Sequence, residues 1–145
     1  MKLAIHAASD QAIAKVRAFE GLLMAIPQTP IVTYHLKHAG IYARTITIPK
    51  DVVLTGAMIK VPTILVISGD VTVSTGAEVV RVIGTHVIPA DAKRKQAFMA
   101  HADTTITMLF KTDEVDICRI EEYFTDEAEL LFSRKGENVV KITGV

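Results

Sequence analysis

The sequence has little cysteine, no excess of either charge and no long apolar run. One cysteine, Cys118, among 145 residues excludes an internal disulfide framework and a cysteine-rich zinc site. Sixteen basic residues balance sixteen acidic ones, so nothing attracts the chain generally to nucleic acids or anionic membranes. Its apolar runs are shorter than the roughly 20 residues that cross a bilayer. The apolar stretch at the N-terminus is too short for a signal peptide, so a location in the cytoplasm is predicted.

Patterns of nucleophilic catalysis and of phosphate binding are also absent from the sequence. No serine lies in a G-x-S-x-G motif, and the eight glycines are dispersed rather than gathered in a phosphate-binding loop. Cys118 falls in an apolar rhythm with Ile117 and Ile120, which predicts a buried, inert thiol. The sequence therefore predicts no catalytic residue, and a binding protein is favoured over an enzyme.

β-Branched residues are abundant, since 47 of the residues are valine, isoleucine or threonine. Such side chains lose less rotamer freedom on a pleated sheet than in a helix. Apolar residues between 31 and 111 alternate with a period of two, and no segment there is long enough for a crossover helix. We therefore expect an antiparallel barrel or sandwich. The predicted strands are 31–36, 41–49, 51–59, 63–68, 70–74, 77–83, 86–89, 96–100 and 103–111. The predicted turns are Ala39-Gly40, Lys50-Asp51, Gly69-Asp70, Thr75-Gly76, Gly84-Thr85 and Ala90-Asp91.

Helical periodicity marks the N-terminal end of the chain. Ser9 or Asp10 caps a predicted helix over residues 10–26, and Pro27 ends it because proline lacks the amide hydrogen that would continue it. One apolar stripe with three- and four-residue spacing runs along this helix: Ile13, Val16, Phe19, Leu23 and Ile26. The stripe is expected to pack on the sheet, and pairing with the same stripe of a second chain is the alternative.

Helical periodicity returns after the strands, over residues 112–135. Thr112 is the predicted cap of a first helix, and Asp126 with Glu129 resembles a capping box for a second. The acidic residues of this region are expected on a solvated helix surface: Glu121, Glu122, Asp126, Glu127 and Glu129. Residues 137–145 are predicted as a last strand or a loose tail. The whole chain, 1–145, is predicted to form one domain.

Two stretches resemble the sequence motifs of the cupin family. Residues 55–73, TGAMIKVPTILVISGDVTV, resemble the first motif, in which metal ligands precede a hairpin. Residues 86–110 resemble the second, a Pro-x-Gly-x-x-His turn followed by a strand. The chain from residue 19 to residue 124 is also similar to a group of small cupin-like proteins of tailed bacteriophages. The resemblance implies a mainly β fold: a cupin-like antiparallel β-barrel, or jelly roll, with an N-terminal helix and C-terminal helices.

The resemblance also implies where a metal ion would bind. Cupin enzymes use two histidines and a glutamate from the first motif and a histidine from the second, donors that suit transition metals. The corresponding residues here are Gly56, Met58, Pro62 and Arg94, which are not metal ligands. We therefore expect neither a metal ion nor another cofactor. An alternative is a metal-dependent enzyme with other ligands, for which the candidates are His35, His86 and His101.

The same resemblance places Arg94 on the cavity side of the barrel. There its guanidinium would bind a carboxylate or phosphate through two parallel hydrogen bonds. A solvated loop is the other interpretation, because Lys93 and Lys95 flank this arginine. Tyr42 and Arg44 fall on one face of a predicted strand. We predict a site for a small anion or a nucleotide, with these ligand-binding residues: Arg94, Arg44, Tyr42, His35 and Lys60.

Together these features predict a non-catalytic, cupin-like barrel of bacteriophage type. It would bind a small anionic ligand or a protein partner in the host cytoplasm, for example to sequester a nucleotide-like host molecule. A homodimer or larger assembly is expected, because sandwich-like barrels have open sheet edges and closed symmetry is the common way to cover them. The alternative is a minor structural or assembly protein of the virion.

Overall fold

A computed structural model describes residues 3–134 and 139–143 of the chain. Two α-helices and eight strands lie within these residues. The helices are α1 (Asp10–Leu23) and α2 (Ile117–Phe124), followed by two short 3-10 helices, Ala128–Leu130 and Phe132–Arg134. The strands are β1 (Thr33–His38), β2 (Ile41–Ile48), β3 (Val53–Thr55), β4 (Thr63–Ser74), β5 (Val79–Ala90), β6 (Ala97–Ala100), β7 (Thr104–Lys111) and β8 (Val139–Thr143).

The strands form one curled sheet in the order β3-β6-β4-β7-β2-β1-β8, and β5 pairs with β4 outside this path. Neighbouring strands from β1 to β7 are antiparallel, which confirms the predicted mainly β, barrel-like fold. β8 lies parallel to β1, with Thr33 opposite Val139. Of the two predictions for the C-terminal residues, a last strand or a loose tail, the strand is confirmed for residues 139–143.

Two of the predicted turns are wrong, because β4 and β5 run without interruption through Gly69 and Gly84. These glycines face each other in the sheet and have positive φ angles of +147° and +88°. A Cβ on Gly69 would lie 2.8 Å from the carbonyl oxygen of Asp103, so no side chain fits there. β4 pairs with β7 before Gly69 and with β6 after it. The glycine pair therefore bends a long two-stranded ribbon and curls the sheet around the core.

α1 is shorter than predicted. The Ser9 side chain accepts a hydrogen bond from the amide of Ala12 at 3.1 Å, as the predicted cap requires. The helix ends at Leu23 rather than at Ile26. Ile26 precedes Pro27, and the residue before a proline is disfavoured in the helical conformation. The amides of residues 25 and 26 accordingly bind carbonyls three residues back, as in a 3-10 turn, and not four residues back. The predicted apolar stripe is buried only in its first half, at Ile13 and Val16.

The C-terminal helices also differ from the prediction. α2 begins at Ile117, where Asp116 accepts a hydrogen bond from the amide of Cys118 at 2.9 Å. Thr112 and Glu114 instead bind nearby amides through their side chains, and such local bonds compete with a helix. The predicted second helix is replaced by the two 3-10 helices.

Cys118 is exposed, so the expectation of a buried thiol is wrong. Ile117 and Ile120 share the buried face of α2, and the residue after Ile117 is turned away from that face by the helical rotation. None of the helices in the described residues is long and apolar enough to span a membrane.

Candidate functional site

A cavity of about 160 Å³ lies inside the curled sheet. Its wall is mainly apolar, with Ile31, Ile46, Leu65, Phe98, Ile106 and Met108 contributed by the strands and the loops beside them. Glu20 of α1, Phe124 of α2 and three residues of the segment 125–134, Glu127, Leu130 and Leu131, complete the wall. We call residues 125–134 the C-terminal segment. The cavity therefore depends on both flanking regions as well as on the sheet.

Arg94 lies on the cavity wall and is only 1% exposed. Its backbone forms a β-bridge with Ile59, which orients the side chain inward, while Lys93 in the preceding turn has a φ of +62° and stays exposed. Three short hydrogen bonds hold the guanidinium: Nε to Gln96 Oε1 at 3.1 Å, Nη1 to the Asp91 carbonyl at 2.7 Å and Nη2 to Thr63 Oγ1 at 2.7 Å. Each of these acceptors is neutral.

The charge of Arg94 has no partner carboxylate in the described part of the chain. Ten ion pairs are found there, and Arg94 takes part in none of them. Burial disfavours the charged form and lowers the pKa of Arg94 to about 10, against a small opposing effect of the Asp91 charge. Arg94 is therefore a desolvated cation on the wall of a cavity.

Two further polar groups of the wall have unused hydrogen-bonding capacity. Because Gln96 Oε1 accepts from Arg94, the orientation of the amide is set and Nε2 must be the donor. This Nε2 atom and Thr33 Oγ1 are buried and have no hydrogen-bond partner in the described residues. A buried polar group without a partner is costly, and these two lie on the same wall as Arg94.

Arg44, the second arginine on the wall, is balanced by a carboxylate. Its Nη1 lies 3.0 Å from Glu121 Oε2 and its guanidinium carbon lies 5.6 Å from the centre of the Phe124 ring. Glu121 is 2% exposed and also binds Ser133 and Arg134, the latter at 2.9 Å. Burial alone would raise the pKa of Glu121, but these hydrogen bonds and the charge of Arg44 lower it below its ordinary value.

Lys95 forms a second buried ion pair beside the cavity. Its fully buried Nζ lies 3.0 Å from Glu127 Oε2 and 3.1 Å from Glu20 Oε2. Glu127 also binds Arg17 and the amide of Met58. Burial would raise the pKa of Glu127, but the hydrogen bonds from Lys95 and Met58 lower it. The expectation that the acidic residues lie on a solvated surface is therefore wrong for Glu121 and Glu127.

The five predicted ligand-binding residues are not all brought together. Arg94 and Arg44 line the cavity. Tyr42 and His35 are buried beside Arg44 and are joined by a hydrogen bond of 2.6 Å, but neither belongs to the cavity wall. Lys60 lies outside the cavity and binds Asp126 at the surface.

The donor set of the barrel does not fit the cupin metal site. Gly56 offers no side chain, and the Arg94 guanidinium is a cation. The alternative ligands do not converge, since His86 binds the carbonyl of Ile83 and His101 binds Thr72 Oγ1. Among the described residues there is no group of three His, Cys, Asp or Glu side chains that could hold a metal ion.

No family model matches the chain, and no curated protein matches it. Among solved structures, the chain is similar to a cupin-2 domain protein from Shewanella frigidimarina, with a TM-score of 0.45 and 6% identity over 64% of this chain and 91% of that one. The chain is also similar to a cupin superfamily protein from Desulfitobacterium hafniense, with a TM-score of 0.47 and 8% identity over 63% of this chain and 88% of that one. For KdgF from Halomonas sp., the TM-score is 0.48 and the identity is 16% over 61% of this chain and 86% of that one.

Tyr42 provides a test of the buried region behind the cavity. Burial, partly opposed by Arg44, raises the pKa of Tyr42 to about 12. The folded protein then keeps a proton that the unfolded chain loses near pH 10, so stability should fall by about 2 kcal/mol as the pH rises from 10 to 12. Ultraviolet difference titration of wild type against Tyr42→Phe should show a midpoint near pH 12. Tyr34→Phe, at an exposed tyrosine, should leave that component in place, and a Tyr42 midpoint near pH 10 would contradict the burial.

Proposed function

We propose that the barrel binds a small anionic ligand in its cavity through Arg94. The observation that carries this proposal is the buried guanidinium, which lies on the cavity wall and has only neutral partners in the described residues. A buried charge is costly unless an opposite charge pairs with it. An anion in the cavity would supply that charge, and Gln96 Nε2 and Thr33 Oγ1 would supply further hydrogen bonds.

We propose a binding role rather than a catalytic one. The polar side chains on the cavity wall are arginine, glutamine, threonine and glutamate, and both glutamates bind Lys95. No serine or cysteine lies on this wall, so a nucleophile paired with a base is missing among the described lining residues. A ligand carrier or a sequestering protein, as in the bacteriophage interpretation, needs only the binding step.

The bacteriophage origin, the homodimer, the absence of a metal ion and the alternative role in a virion stay predictions. One observation supports self-association: among the described residues β5 is an edge strand, which pairs with β4 on one side and is bridged on the other side only at its end, by Ile5 at Pro89 and Ala90. Val79, Ile83 and Val87 of β5 are 61–72% exposed. Such a long apolar edge strand is a template for pairing with a second copy.

Replacing Arg94 tests the proposed anion site. We expect at least one small acid in a panel of carboxylates, sulfonates and phosphates to raise the melting temperature of wild type, since a ligand at 100 times its Kd stabilises by about 2.7 kcal/mol. Arg94→Met should abolish this shift, because the counter-charge for the anion is removed. Arg119→Met, at an exposed arginine of α2, is the matched control and should keep it. An equal shift in Arg94→Met, or no shift of wild type by any acid at 10 mM (about 100 times a Kd of 0.1 mM), would refute the proposal.

A further inference from the structure

Resting on the anion site proposed above, we infer that its ligand is a short-chain monocarboxylic acid with an apolar tail, of about six to eight non-hydrogen atoms. Three properties of the cavity lead to this class: its balance of charge, its volume and the hydrogen bonds that Arg94 leaves available.

The charges on the cavity wall leave room for a single negative charge. Arg44 is paired with Glu121, and the two wall carboxylates, Glu20 and Glu127, share Lys95. Arg94 alone among the described wall residues has no partner of opposite charge. A second negative charge on the ligand would lie in an apolar cavity beside Glu20 and Glu127, where repulsion and desolvation both oppose it. Dicarboxylates and phosphate monoesters are therefore disfavoured.

The volume of the cavity limits the size of the ligand. Its 160 Å³ is close to the about 150 Å³ of an apolar protein cavity that holds one benzene molecule. A nucleotide, with a base, a sugar and a phosphate, is several times larger than benzene. A branched acid with a three- or four-carbon tail fits within this volume, whereas the nucleotide that the sequence suggested as a ligand would have to extend beyond it, past Glu20, Leu54 and Thr55, into a neighbouring pocket. The apolar wall would cover that tail.

The hydrogen bonds of Arg94 favour a planar carboxylate. Each terminal nitrogen of the guanidinium has one short hydrogen bond, described above, and one long contact. The long contacts are Nη1 to the Val61 carbonyl at 3.4 Å and Nη2 to Met108 Sδ at 3.9 Å. Met108 lies on the cavity wall, so the N–H of Nη2 that meets its sulfur is weakly used on the cavity side and can donate to an oxygen of a carboxylate. The unbonded Nε2 of Gln96 is a second donor on the same wall and can bind the other oxygen of the carboxylate.

The test compares probes of matched size on isotope-labelled protein by NMR titration. The probes are 3-methylbutanoate, its neutral amide 3-methylbutanamide, the dianion succinate, inorganic phosphate and adenosine monophosphate. We expect 3-methylbutanoate to bind with a Kd of about 1 mM or tighter. The amide, succinate and phosphate should bind at least about tenfold more weakly, and adenosine monophosphate should not enter the cavity.

Variants separate this inference from the proposed function. Arg94→Met should remove the preference for the acid over the amide, and Arg119→Met should retain it. If the methionine variant does not fold, Arg94→Lys keeps the charge but loses the Nη2 donor, and should weaken 3-methylbutanoate by about tenfold. Tighter binding of succinate, phosphate or adenosine monophosphate that depends on Arg94 would overturn the monocarboxylate class but leave the anion site standing. Binding of the acid that does not depend on Arg94, or no anion binding at all, would refute the anion site itself.

Discussion

Lys95→Met is expected to lower the free energy of unfolding by about 3–5 kcal/mol. Lys95 is fully buried, and its ammonium lies between the carboxylates of Glu127 and Glu20. Methionine fills a similar volume but leaves these two negative charges facing each other without the cation between them. The change should appear as a lower midpoint of urea denaturation with an unchanged slope.

A second lysine on the same region provides the matched control. Lys60 binds Asp126, the neighbour of Glu127 in the C-terminal segment, but the side chains of Lys60 and Asp126 are 37% and 73% exposed to solvent. Lys60→Met should change stability by no more than about 0.5 kcal/mol, because exposed ion pairs contribute little. Equal losses in the two variants would show that burial of the Lys95 pair is not what stabilises this region.

Glu121→Gln is expected to cost about 3 kcal/mol or more at neutral pH. The substitution keeps the shape of the side chain but leaves Arg44, whose side chain is 12% exposed, without its counter-charge. The pKa of Glu121 is lowered in the folded state, so its contribution is complete above the ordinary carboxyl pKa and is lost as the pH falls below it. The difference between wild type and Glu121→Gln should therefore shrink on acidification, as measured by urea denaturation at pH 7 and at pH 3.

The neighbouring residue is the control for this variant. Glu122 is 63% exposed and lies 3.8 Å from Arg134. Glu122→Gln removes one carboxylate from the same helix and should change stability by about 0.5 kcal/mol or less at either pH. A Glu121→Gln loss that persists at pH 3, or one no larger than that of Glu122→Gln, would contradict the buried pair.

The strands were predictable because alternation is a local property of the sequence. β2 and β7 match their predicted spans within one residue at either end, since every second side chain of each faces the core. The turns at Gly69 and Gly84 were wrong for a physical reason. Glycine is required at a positive φ both in a tight turn and in a bent strand, so composition alone does not distinguish the two.

The site was predictable only in part. Arg94 followed from the motif resemblance, and Tyr42 with Arg44 followed from the period of a strand. The carboxylate partners of the buried cations could not be predicted from the sequence, because they are distant in the chain. Arg44 and Glu121 are 77 residues apart, and Lys95 and Glu127 are 32 residues apart. From sequence alone, a glutamate in a helical region is predicted to be exposed to solvent. A buried glutamate can be recognised only when the folded structure shows the buried cation that pairs with it. Lys60 does not line the cavity: its neighbour Ile59 does, while the Lys60 side chain binds Asp126 at the surface.

The positions of Glu121 and Glu127 late in the chain determine when the cavity can form during synthesis. The strands that carry Arg44 and the turn that carries Arg94 and Lys95 are synthesised before α2 and the C-terminal segment. Until Glu121 and Glu127 emerge, Arg44 lacks its carboxylate partner and Lys95 has that of Glu20 but not that of Glu127. The residues that complete the cavity are synthesised after β1–β7, so the nascent chain has no finished binding site while most of its sheet is already made.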